Sequence, residues 1–499
     1  MSGTRRGAPP IRASLLRVAL ALGLCYASLG VGLSYWQVVR SDDLTRDPGN
    51  PLVQAAQRDA VPGRILDARG IVLADSVRAP DGGIQRRYRD ATLGPVIGYR
   101  SRIFGTAGLE LAEDATLVGL GTESPVDLLL RKFRSAGPYH PQDVVLSIDL
   151  RLQRQAAQLL GSRRGAIVAL DPATGRVLAM VSTPGYDPNA IVDPETGAAA
   201  FARLRADPNS PLLDRATQGL YVPGSVLKVV TSVAGLGSGT ISPATTFPDQ
   251  PGEEESGFLV QGYRVRDGHH PFTGDLALDY RQALEVSCNI YFAHVGLELG
   301  GEAFADWASR LGFGAAIPFD LPTAASQVTN GGGPDGGFKD RVELANAAYG
   351  QAETVVTPLQ MALVAATVAN GGVLMRPQLV TETREAGGAR HPRDPQTWSR
   401  VIDSGTANVI AGAMQQAVEG QWGRLFAGAA KVPGVPTAGK TGTAQLGGSG
   451  EPHSWFIGFA PAQGPRIAVA VLVEQGGSGA SQAAPIAGQL MTYALSLGG

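Results

Sequence analysis

Cysteine is scarce in this sequence, and so is an excess of charge of either sign. Only two cysteines occur among 499 residues, Cys25 inside an apolar run and Cys288 far along the chain, which excludes a disulfide framework. The formal net charge of -2 provides no excess of positive charge for binding the phosphates of a nucleic acid, so no nucleic-acid partner is expected. The six histidines are scattered and none has metal-ligand spacing, so we expect no metal and no cofactor.

What the chain does have is length, apolar content and one long hydrophobic run. With 499 residues, of which 44% are hydrophobic and 17% charged, it can bury a full core and is long enough for two or more domains. Residues 18–36 carry no charge and are numerous enough to span a bilayer as a helix, with Tyr35 and Trp36 at the outer edge. This run predicts a membrane anchor.

Basic residues before the run predict its orientation. Four arginines precede it: Arg5, Arg6, Arg12 and Arg17. Because positive charge favours the cytoplasmic side, we predict a cytoplasmic tail at 1–17, a single-pass anchor at 18–36 and an extracytoplasmic chain after about Val39. A cleaved signal peptide is the alternative, although no small-x-small site follows the run. A buried core helix is disfavoured because no charge interrupts the run.

Two further regions follow the anchor. Residues 37–142 mix short apolar runs with turn residues, which favours a small spacer or docking domain without chemistry of its own. The second region, 143–499, begins with a strand from Val144, and either Ser147 or Asp149 is expected to cap the helix that follows. The boundary is therefore placed between 142 and 143.

Strands at both ends of the second region enclose a helical middle. Apolar segments at 166–170 and 177–181 flank a hairpin turn near its start. Strand-like segments at 455–460 and 467–474 precede a helix over 482–497 at its end. Since the first and last strands must close on one sheet to bury their apolar faces, we predict an α+β fold with a mostly antiparallel sheet and helices packed on it.

Ser225 and Lys228 pair a nucleophile with a base. They follow Pro223 and Gly224 and open an apolar run, which predicts that they share one face in the first turn of a buried helix. A serine hydroxyl becomes nucleophilic when a neighbouring base takes its proton, and a lysine can be that base if burial or a nearby cation lowers its pKa. The spacing alone is common by chance, and an N-cap serine beside a solvent-reaching lysine would also explain it.

A second polar pair, Ser287 and Asn289, presents a hydroxyl and an amide side by side. The pair lies where a helical pattern ending at Val286 meets another apolar segment beginning at Ile290. In isolation, a polar turn around a small buried Cys288 is the favoured explanation of these residues.

A third segment combines a cation, two hydroxyls and a glycine in Lys440, Thr441, Gly442 and Thr443. The segment is typical of a strand, and such an edge can bind an extended peptide by strand addition. Gly442 would permit close approach, while Lys440, Thr441 and Thr443 would hold a terminal carboxylate. The segment therefore predicts a site for a peptide that ends in a carboxylate.

Taken in this order, S-x-x-K, S-x-N and K-T-G form the catalytic set of penicillin-binding proteins and serine β-lactamases. From about Asp143 to Leu497 the chain resembles the transpeptidase domain of penicillin-binding proteins. The resemblance extends to GAIVALDPATG at 165–175, YVPGS at 221–225, GQ at 350–351, TPLQMA at 357–362 and WFIGFAP at 455–461. Residues 58–120 resemble the pedestal of class B members, of the PbpA-like group.

The resemblance implies a peptidoglycan D,D-transpeptidase with an antiparallel sheet, helices on both faces and a mixed α/β pedestal. Ser225 would attack the carbonyl of a D-Ala-D-Ala stem peptide and release D-alanine, with Lys228 accepting its proton. Ser287 would relay a proton toward the leaving amine, Asn289 would hold the substrate amide and Lys440 would polarise the network. β-Lactams would trap Ser225 as substrate mimics.

The resemblance also implies further contacts and partners. Backbone N–H groups of Ser225 and Thr443 would form the oxyanion hole. Only residues 37–142 separate the anchor from the transpeptidase-like part, and this region shows no glycosyltransferase domain. Glycan polymerisation is therefore expected to come from a partner, a membrane glycan polymerase. A homodimer formed through the pedestal is one of the possible assemblies. The protein would be anchored in the cell membrane, with its catalytic domain outside the cytoplasm.

Rival interpretations remain at this stage. Residues 434–441 fit the phosphate-binding G-x-x-x-x-G-K-T loop, but no buried strand precedes them and the glycines that follow disfavour a helix. A serine triad is disfavoured because Ser225 lies in P-G-S-V-L-K. A β-lactamase, a β-lactam sensor and a catalytically silent divisome or elongasome scaffold stay open as alternatives. The intact serine, lysine and asparagine positions argue against the scaffold.

Overall fold

The structure is a computed structural model of the chain. It describes residues 11–36, 61–78, 83–119, 140–267, 270, 274, 276–447 and 450–498. Most of the predicted cytoplasmic tail and parts of the predicted pedestal, at 37–60, 79–82 and 120–139, lie outside the described residues.

A long N-terminal helix, α1 (Ile11–Ser34), covers the predicted anchor. Its segment Leu15–Ser34 has a mean hydropathy of 1.7 and is long and apolar enough to cross a membrane. The helix begins earlier than residue 18, so Arg12 and Arg17 lie within it. Backbone hydrogen bonding continues past the apolar stretch, and long arginine side chains at a helix end can reach toward the interface.

The remaining elements alternate between short strands and helices. The strands are β1 (Ile65–Leu66), β2 (Val72–Arg78), β3 (Ile84–Tyr88), β4 (Arg100–Ser101), β5 (Gly105–Thr106), β6 (Gln142–Leu146), β7 (Gly165–Leu170), β8 (Val177–Thr183), β9 (Phe258–Val260), β10 (Tyr263–Val265), β11 (Val373–Met375), β12 (Val380–Glu385), β13 (Arg390–Pro392), β14 (Thr397–Arg400), β15 (Ala438–Ala444), β16 (His453–Ala460) and β17 (Ile467–Val473). The helices are α2 (Gly94–Ile97), α3 (Leu109–Ala112), α4 (Asp114–Val118), α5 (Leu150–Leu160), α6 (Pro188–Val192), α7 (Gly197–Ala206), α8 (Lys228–Gly237), α9 (Gln250–Ser256), α10 (Tyr280–Val286), α11 (Asn289–Leu299), α12 (Gly301–Arg310), α13 (Arg341–Ala347), α14 (Pro358–Ala369), α15 (Ser404–Glu419), α16 (Arg424–Ala427) and α17 (Ala483–Leu497). Short 3-10 turns occur at Ala91–Leu93, Gly224–Leu227 and Gly428–Ala430.

The larger sheet spans both regions of the chain. Its strand order is β13-β12-β6-β1-β2-β3, with β1 parallel to β6 and the other pairs antiparallel. Strands β12 and β13 come from far beyond residue 143, yet they pair with β6 next to the pedestal strands. The boundary proposed between 142 and 143 falls inside β6, so the pedestal and the second region share hydrogen-bonded backbone.

A buried ion pair stabilises the pedestal. Arg86 Nε lies 2.6 Å from Glu110 Oε1, with only 1% and 0% of the two side chains exposed. The same guanidinium donates to the Gly63 carbonyl at 2.8 Å. Glu110 also pairs with Arg100 at 3.1 Å, so removing Glu110 would leave the buried Arg86 without a counterion, whereas removing Arg86 would leave Glu110 still paired.

The second sheet is the one that the sequence predicts. Its order is β15-β16-β17-β7-β8 and every pair is antiparallel, including the predicted hairpin of β7 and β8. Alternate residues of β7 face opposite sides: Ile167 joins the apolar cluster of α5 and α17, whereas Val168 joins that of α14. Helices therefore cover both faces, which confirms the predicted α+β fold.

The helix after the first strand of this region is capped by Asp149. The Asp149 carboxylate accepts from the Arg151 backbone N–H at 2.9 Å. Ser147, the alternative cap, instead donates its hydroxyl to the Val177 carbonyl at 2.7 Å, because it lies two residues before the cap position and faces β8. Asp149 therefore initiates α5, and Ser147 ties β6 to its neighbours.

Candidate active site

Ser225 lies in the 3-10 turn Gly224–Leu227, and Lys228 is the first residue of α8. The sequence predicted one α-helical turn for both, but Gly224 adopts a φ of 59° just before Ser225 and tightens the chain. Residues three apart eclipse each other in a 3-10 turn, so the two side chains still lie on one side. Ser225 is partly exposed, whereas Lys228 is fully buried.

The Lys228 ammonium joins the first motif to the second. Its Nζ donates to the backbone carbonyl of Ser287, to Asn289 Oδ1 at 2.7 Å and to Ser287 Oγ at 3.2 Å. Ser287 ends α10 in the left-handed region at φ 65°, and Asn289 begins α11. Non-glycine residues hold this conformation at a cost of about 1–3 kcal/mol and cluster at functional sites. The junction of two helices, expected from the sequence, thus aims both groups at Lys228.

Lys440 brings the third motif to the same hydroxyl. It lies on β15, is 1% exposed, and its Nζ donates to Ser287 Oγ at 2.8 Å. Ser287 Oγ therefore accepts from both lysines, which leaves its own proton free to be donated to a third group. This arrangement suits a proton relay.

Burial changes the acid–base behaviour of both lysines. It lowers the pKa of Lys228 to about 8, because the charged form loses its hydration. Burial together with the nearby Lys228 charge lowers the pKa of Lys440 well below its usual value. A neutral amine is therefore accessible near physiological pH, which a lysine needs in order to act as a base.

Gly442 allows the edge strand to approach the serine turn. A Cβ atom at Gly442 would lie 2.7 Å from the Pro223 carbonyl oxygen and 3.1 Å from Val226 Cγ1. The close approach that the sequence predicted for a bound peptide is made here by the protein's own turn. Thr443 is exposed on this strand, whereas Thr441 is buried.

A cleft of about 1110 Å³ opens above these groups. Ser225, Asn289 and Thr443 contribute to its lining, together with polar residues of the β10 and α13 regions. Lys228 and Lys440 are buried beneath it. The geometry presents a partly exposed hydroxyl to a cleft, with buried amines behind it.

Cys288 is a packing residue in this site. It is fully buried, and its Sγ accepts from the Tyr291 backbone N–H at 3.3 Å at the start of α11. Burial raises the pKa of the thiol well above its usual value, so the nucleophilic thiolate is disfavoured.

One polar residue of the site carries no signal in the sequence. The Asp267 carboxylate accepts from the backbone N–H groups of Asn289 and Ile290, and Asp267 also lines the cleft. It belongs to none of the three motifs, and its contact with α11 arises only on folding. Gly350 belongs to the segment GQ at 350–351, which is part of the resemblance to penicillin-binding proteins. Its carbonyl accepts from the Gly224 N–H at 2.9 Å beside the serine turn.

The phosphate-loop interpretation is wrong. Residues 438–444 form an edge strand, so no helix follows Lys440 to present its N-terminus to a phosphate. Across the part of the chain that the structure describes, no group of three or more His, Cys, Asp or Glu residues is placed to hold a metal ion.

An antiparallel sheet covered on both faces, with a Ser-x-x-Lys turn beside its edge strand, defines the class of the protein as acyltransferases of the penicillin-binding type. Residues 165–492 match the family model of the penicillin binding protein transpeptidase domain. Residues 62–137 match that of the penicillin binding protein A dimerisation domain. The chain belongs to the penicillin-binding protein transpeptidase family.

Individual relatives agree with this assignment. The chain is 34% identical over 508 residues to the peptidoglycan D,D-transpeptidase PbpA of Mycolicibacterium smegmatis, which covers 97% of this chain and 99% of the relative. It is 32% identical over 417 residues to the peptidoglycan D,D-transpeptidase MrdA of Acinetobacter baumannii, covering 77% of this chain and 59% of the relative.

Solved structures give the same result. The ceftriaxone acyl-enzyme complex of penicillin-binding protein A from M. tuberculosis superimposes with a TM-score of 0.78 at 31% identity, covering 89% of this chain and 100% of that one. The penicillin G acyl-enzyme complex of the same protein gives a TM-score of 0.75 at 32% identity, with 88% and 100% covered.

Proposed function

We propose that this chain is a peptidoglycan D,D-transpeptidase, a serine-type acyltransferase that cross-links stem peptides and is acylated by β-lactams. The observation that carries the proposal is the convergence of Lys228 and Lys440 on Ser287 Oγ, with the partly exposed Ser225 three residues before Lys228 and lining the cleft. The relatives named D,D-transpeptidases and the β-lactam acyl-enzyme structures support it.

In the first step Ser225 Oγ attacks the carbonyl carbon between the two D-alanines of a donor stem peptide. Neutral Lys228 accepts the serine proton as the new C–O bond forms. The C–N bond then breaks, and the Ser287 hydroxyl donates its proton to the departing D-alanine amine. Lys228 and Lys440, which donate hydrogen bonds to Ser287 Oγ, replace that proton. The product is an ester between the donor peptide and Ser225.

In the second step an amine of another stem peptide attacks the ester carbonyl. A new C–N bond forms, the C–O bond to Ser225 breaks, and the proton released by the amine returns to the serine oxygen through the same groups. Asn289 holds the donor amide, and the backbone N–H groups of Ser225 and Thr443 stabilise the oxyanion in both steps.

The edge strand positions the donor. An extended peptide laid along β15 would continue the sheet, because the outer edge of this strand borders the cleft. Lys440, Thr441 and Thr443 are proposed to receive the terminal carboxylate, and Gly442 keeps the strand close to the serine turn.

The location follows from the anchor. Residues 1–17 are proposed as a cytoplasmic tail, 18–36 as a single-pass anchor, 37–142 as a pedestal and 143–499 as the extracytoplasmic transpeptidase domain. The apolar helix supports the anchor, and the dimerisation-domain match supports a homodimer through the pedestal. A membrane glycan polymerase would supply the strands to be cross-linked.

Incubation of the detergent-solubilised full chain with a D-Ala-D-Ala-terminated pentapeptide and an amine acceptor tests the function. We expect D-alanine release together with a product joined by a new amide bond, and neither with Ser225→Ala. Release of D-alanine with only a hydrolysed tetrapeptide would indicate a carboxypeptidase. Absence of both products from folded protein would favour the silent scaffold.

A further inference from the structure

Asp267 is joined to the second motif by several hydrogen bonds. Its Oδ2 accepts from the backbone N–H of Asn289 and from that of Ile290 at 3.3 Å. The neighbouring Arg266 carbonyl accepts from Asn289 Nδ2 at 3.3 Å, while Asn289 Oδ1 accepts from Lys228 at 2.7 Å. Residues 266–267 therefore hold both the backbone and the side chain of Asn289, and they determine which end of its amide faces Lys228.

Asp267 also supplies negative charge beside two buried cations. It is the carboxylate that raises the pKa of both Lys228 and Lys440, opposing the larger effect of their burial. The titratable groups around Asp267 and Lys228 include Lys440, Glu254, His270, Cys288 and Tyr349, and the charged Arg266 precedes Asp267 in the cleft lining. Burial, with a smaller contribution from Asp267, raises the pKa of Glu254 to about 7, so Glu254 carries only part of a charge near neutral pH.

We propose that Asp267 is a positioning residue for acyl transfer: its carboxylate fixes Asn289 against Lys228 and supplies the negative charge that the two buried lysines face. This inference rests on the proposed function, because it assigns Asp267 a part in the reaction of Ser225. Asp267 contacts the groups that act on the substrate and is not assigned a bond to the substrate itself.

An aspartate outside the cleft provides a matched control. Asp403 caps α15, where its Oδ1 accepts from the Thr406 backbone N–H at 3.0 Å, and it does not line the cleft. It therefore shares the helix-capping chemistry of Asp267, but it does not contribute to the pKa of Lys228 or Lys440. Any effect that comes only from removing the charge of a helix cap should appear equally at both positions.

Two substitutions separate the charge of Asp267 from its hydrogen bonds. Asp267→Asn retains an oxygen that can accept from the Asn289 N–H but removes the charge, whereas Asp267→Ala removes both. Without the negative charge the protonated form of Lys228 loses a stabilising partner, so its neutral form persists to lower pH. Without the hydrogen bonds Asn289 and the start of α11 lose their fixed position.

The experiment measures the second-order rate of labelling by a fluorescent penicillin, from about pH 6 to pH 10, on the full-length protein and the three variants. For Asp267→Asn we expect the acid limb of the profile to move to lower pH by about half a unit or more. Asp267→Ala should in addition lower the plateau rate by about tenfold, while Asp403→Asn leaves both quantities unchanged.

An Asp267→Asn profile that superimposes on the wild type would overturn the charge assignment. Equal shifts in Asp267→Asn and Asp403→Asn would reduce Asp267 to an ordinary helix cap. Circular dichroism melting verifies folding of each variant, and Asp267→Asn carries the test if Asp267→Ala does not fold. Failure of the wild-type protein to label at Ser225 would overturn the proposed function itself, and this inference with it.

Discussion

Acylation by β-lactams should follow the neutral fraction of the Lys228 amine. With a pKa of about 8, about a tenth of the amines are neutral at pH 7 and about nine tenths at pH 9. The labelling rate should therefore rise about tenfold between these two values and level off above pH 9. The sign is fixed by chemistry, because only the unprotonated amine can accept the proton of Ser225.

Stopped-flow or quenched labelling with a fluorescent penicillin, at constant ionic strength on the detergent-solubilised full chain, measures this profile. Lys431→Met is a matched control, since Lys431 is exposed and away from the cleft. Lys228→Met should lose the rise entirely. If Lys228 instead kept the ordinary lysine pKa, the rate would still climb about eightfold between pH 9 and pH 10, and that result would contradict the lowered pKa of Lys228.

Three further predictions concern packing around the site and in the pedestal. In urea titrations, Gly442→Ala should lower the free energy of unfolding by about 1–3 kcal/mol, because its Cβ would clash with the serine turn, and it should slow penicillin labelling. The control Gly412→Ala, in an open position of α15, should instead raise the free energy of unfolding by about 0.5–1 kcal/mol. Glu110→Gln leaves Arg86 as a buried charge without its counterion, so it should lower the urea-derived free energy of unfolding by about 3–5 kcal/mol. The penicillin-labelling rate of the folded protein should not change. An unchanged unfolding midpoint would contradict a stabilising role of the ion pair. In a Cys25→Ser background, Cys288 should react with iodoacetamide only after denaturation, and fast alkylation of the native protein would contradict its burial.

The second sheet could be predicted because each strand carries its own local signal. Alternating or continuous apolar residues at 166–170, 177–181 and 467–474 are confirmed as strands within one residue or two of the predicted ends. The hairpin of β7 and β8 follows from the short turn between them. Strand pairs of this kind leave a pattern in consecutive residues, which is what a single sequence can reveal.

The larger sheet could not be predicted in the same way. Strand β6 pairs with β1 on one side and with β12 on the other, and β12 begins only at Val380. Neither pairing leaves a periodicity in the sequence, since the partners are chosen by topology and by the burial of distant side chains. The predicted boundary between 142 and 143 depended on a strand pattern that begins at Val144, and it falls within the observed strand, which begins at Gln142.

The active-site residues show the same contrast between local patterns, which the sequence reveals, and contacts between distant residues, which it does not. Ser225 and Lys228 are three residues apart, so their common side followed from helical geometry. Their meeting with Ser287 and Lys440 could be inferred only through the resemblance to a known family, because no local rule joins residues so far apart. Asp267 was missed because an isolated aspartate in a loop has no distinguishing pattern before the chain folds.

The most direct test of Ser225 as the nucleophile is to map the adduct formed by a fluorescent penicillin on the full-length protein. We expect one long-lived adduct on the tryptic peptide that contains Ser225, and no adduct in Ser225→Ala, which should retain the wild-type melting temperature. An adduct mapped to any other residue, or labelling that persists in Ser225→Ala, would contradict the assignment of Ser225 as the nucleophile. Rapid turnover of the drug without a lasting adduct would contradict the transpeptidase and point to a β-lactamase.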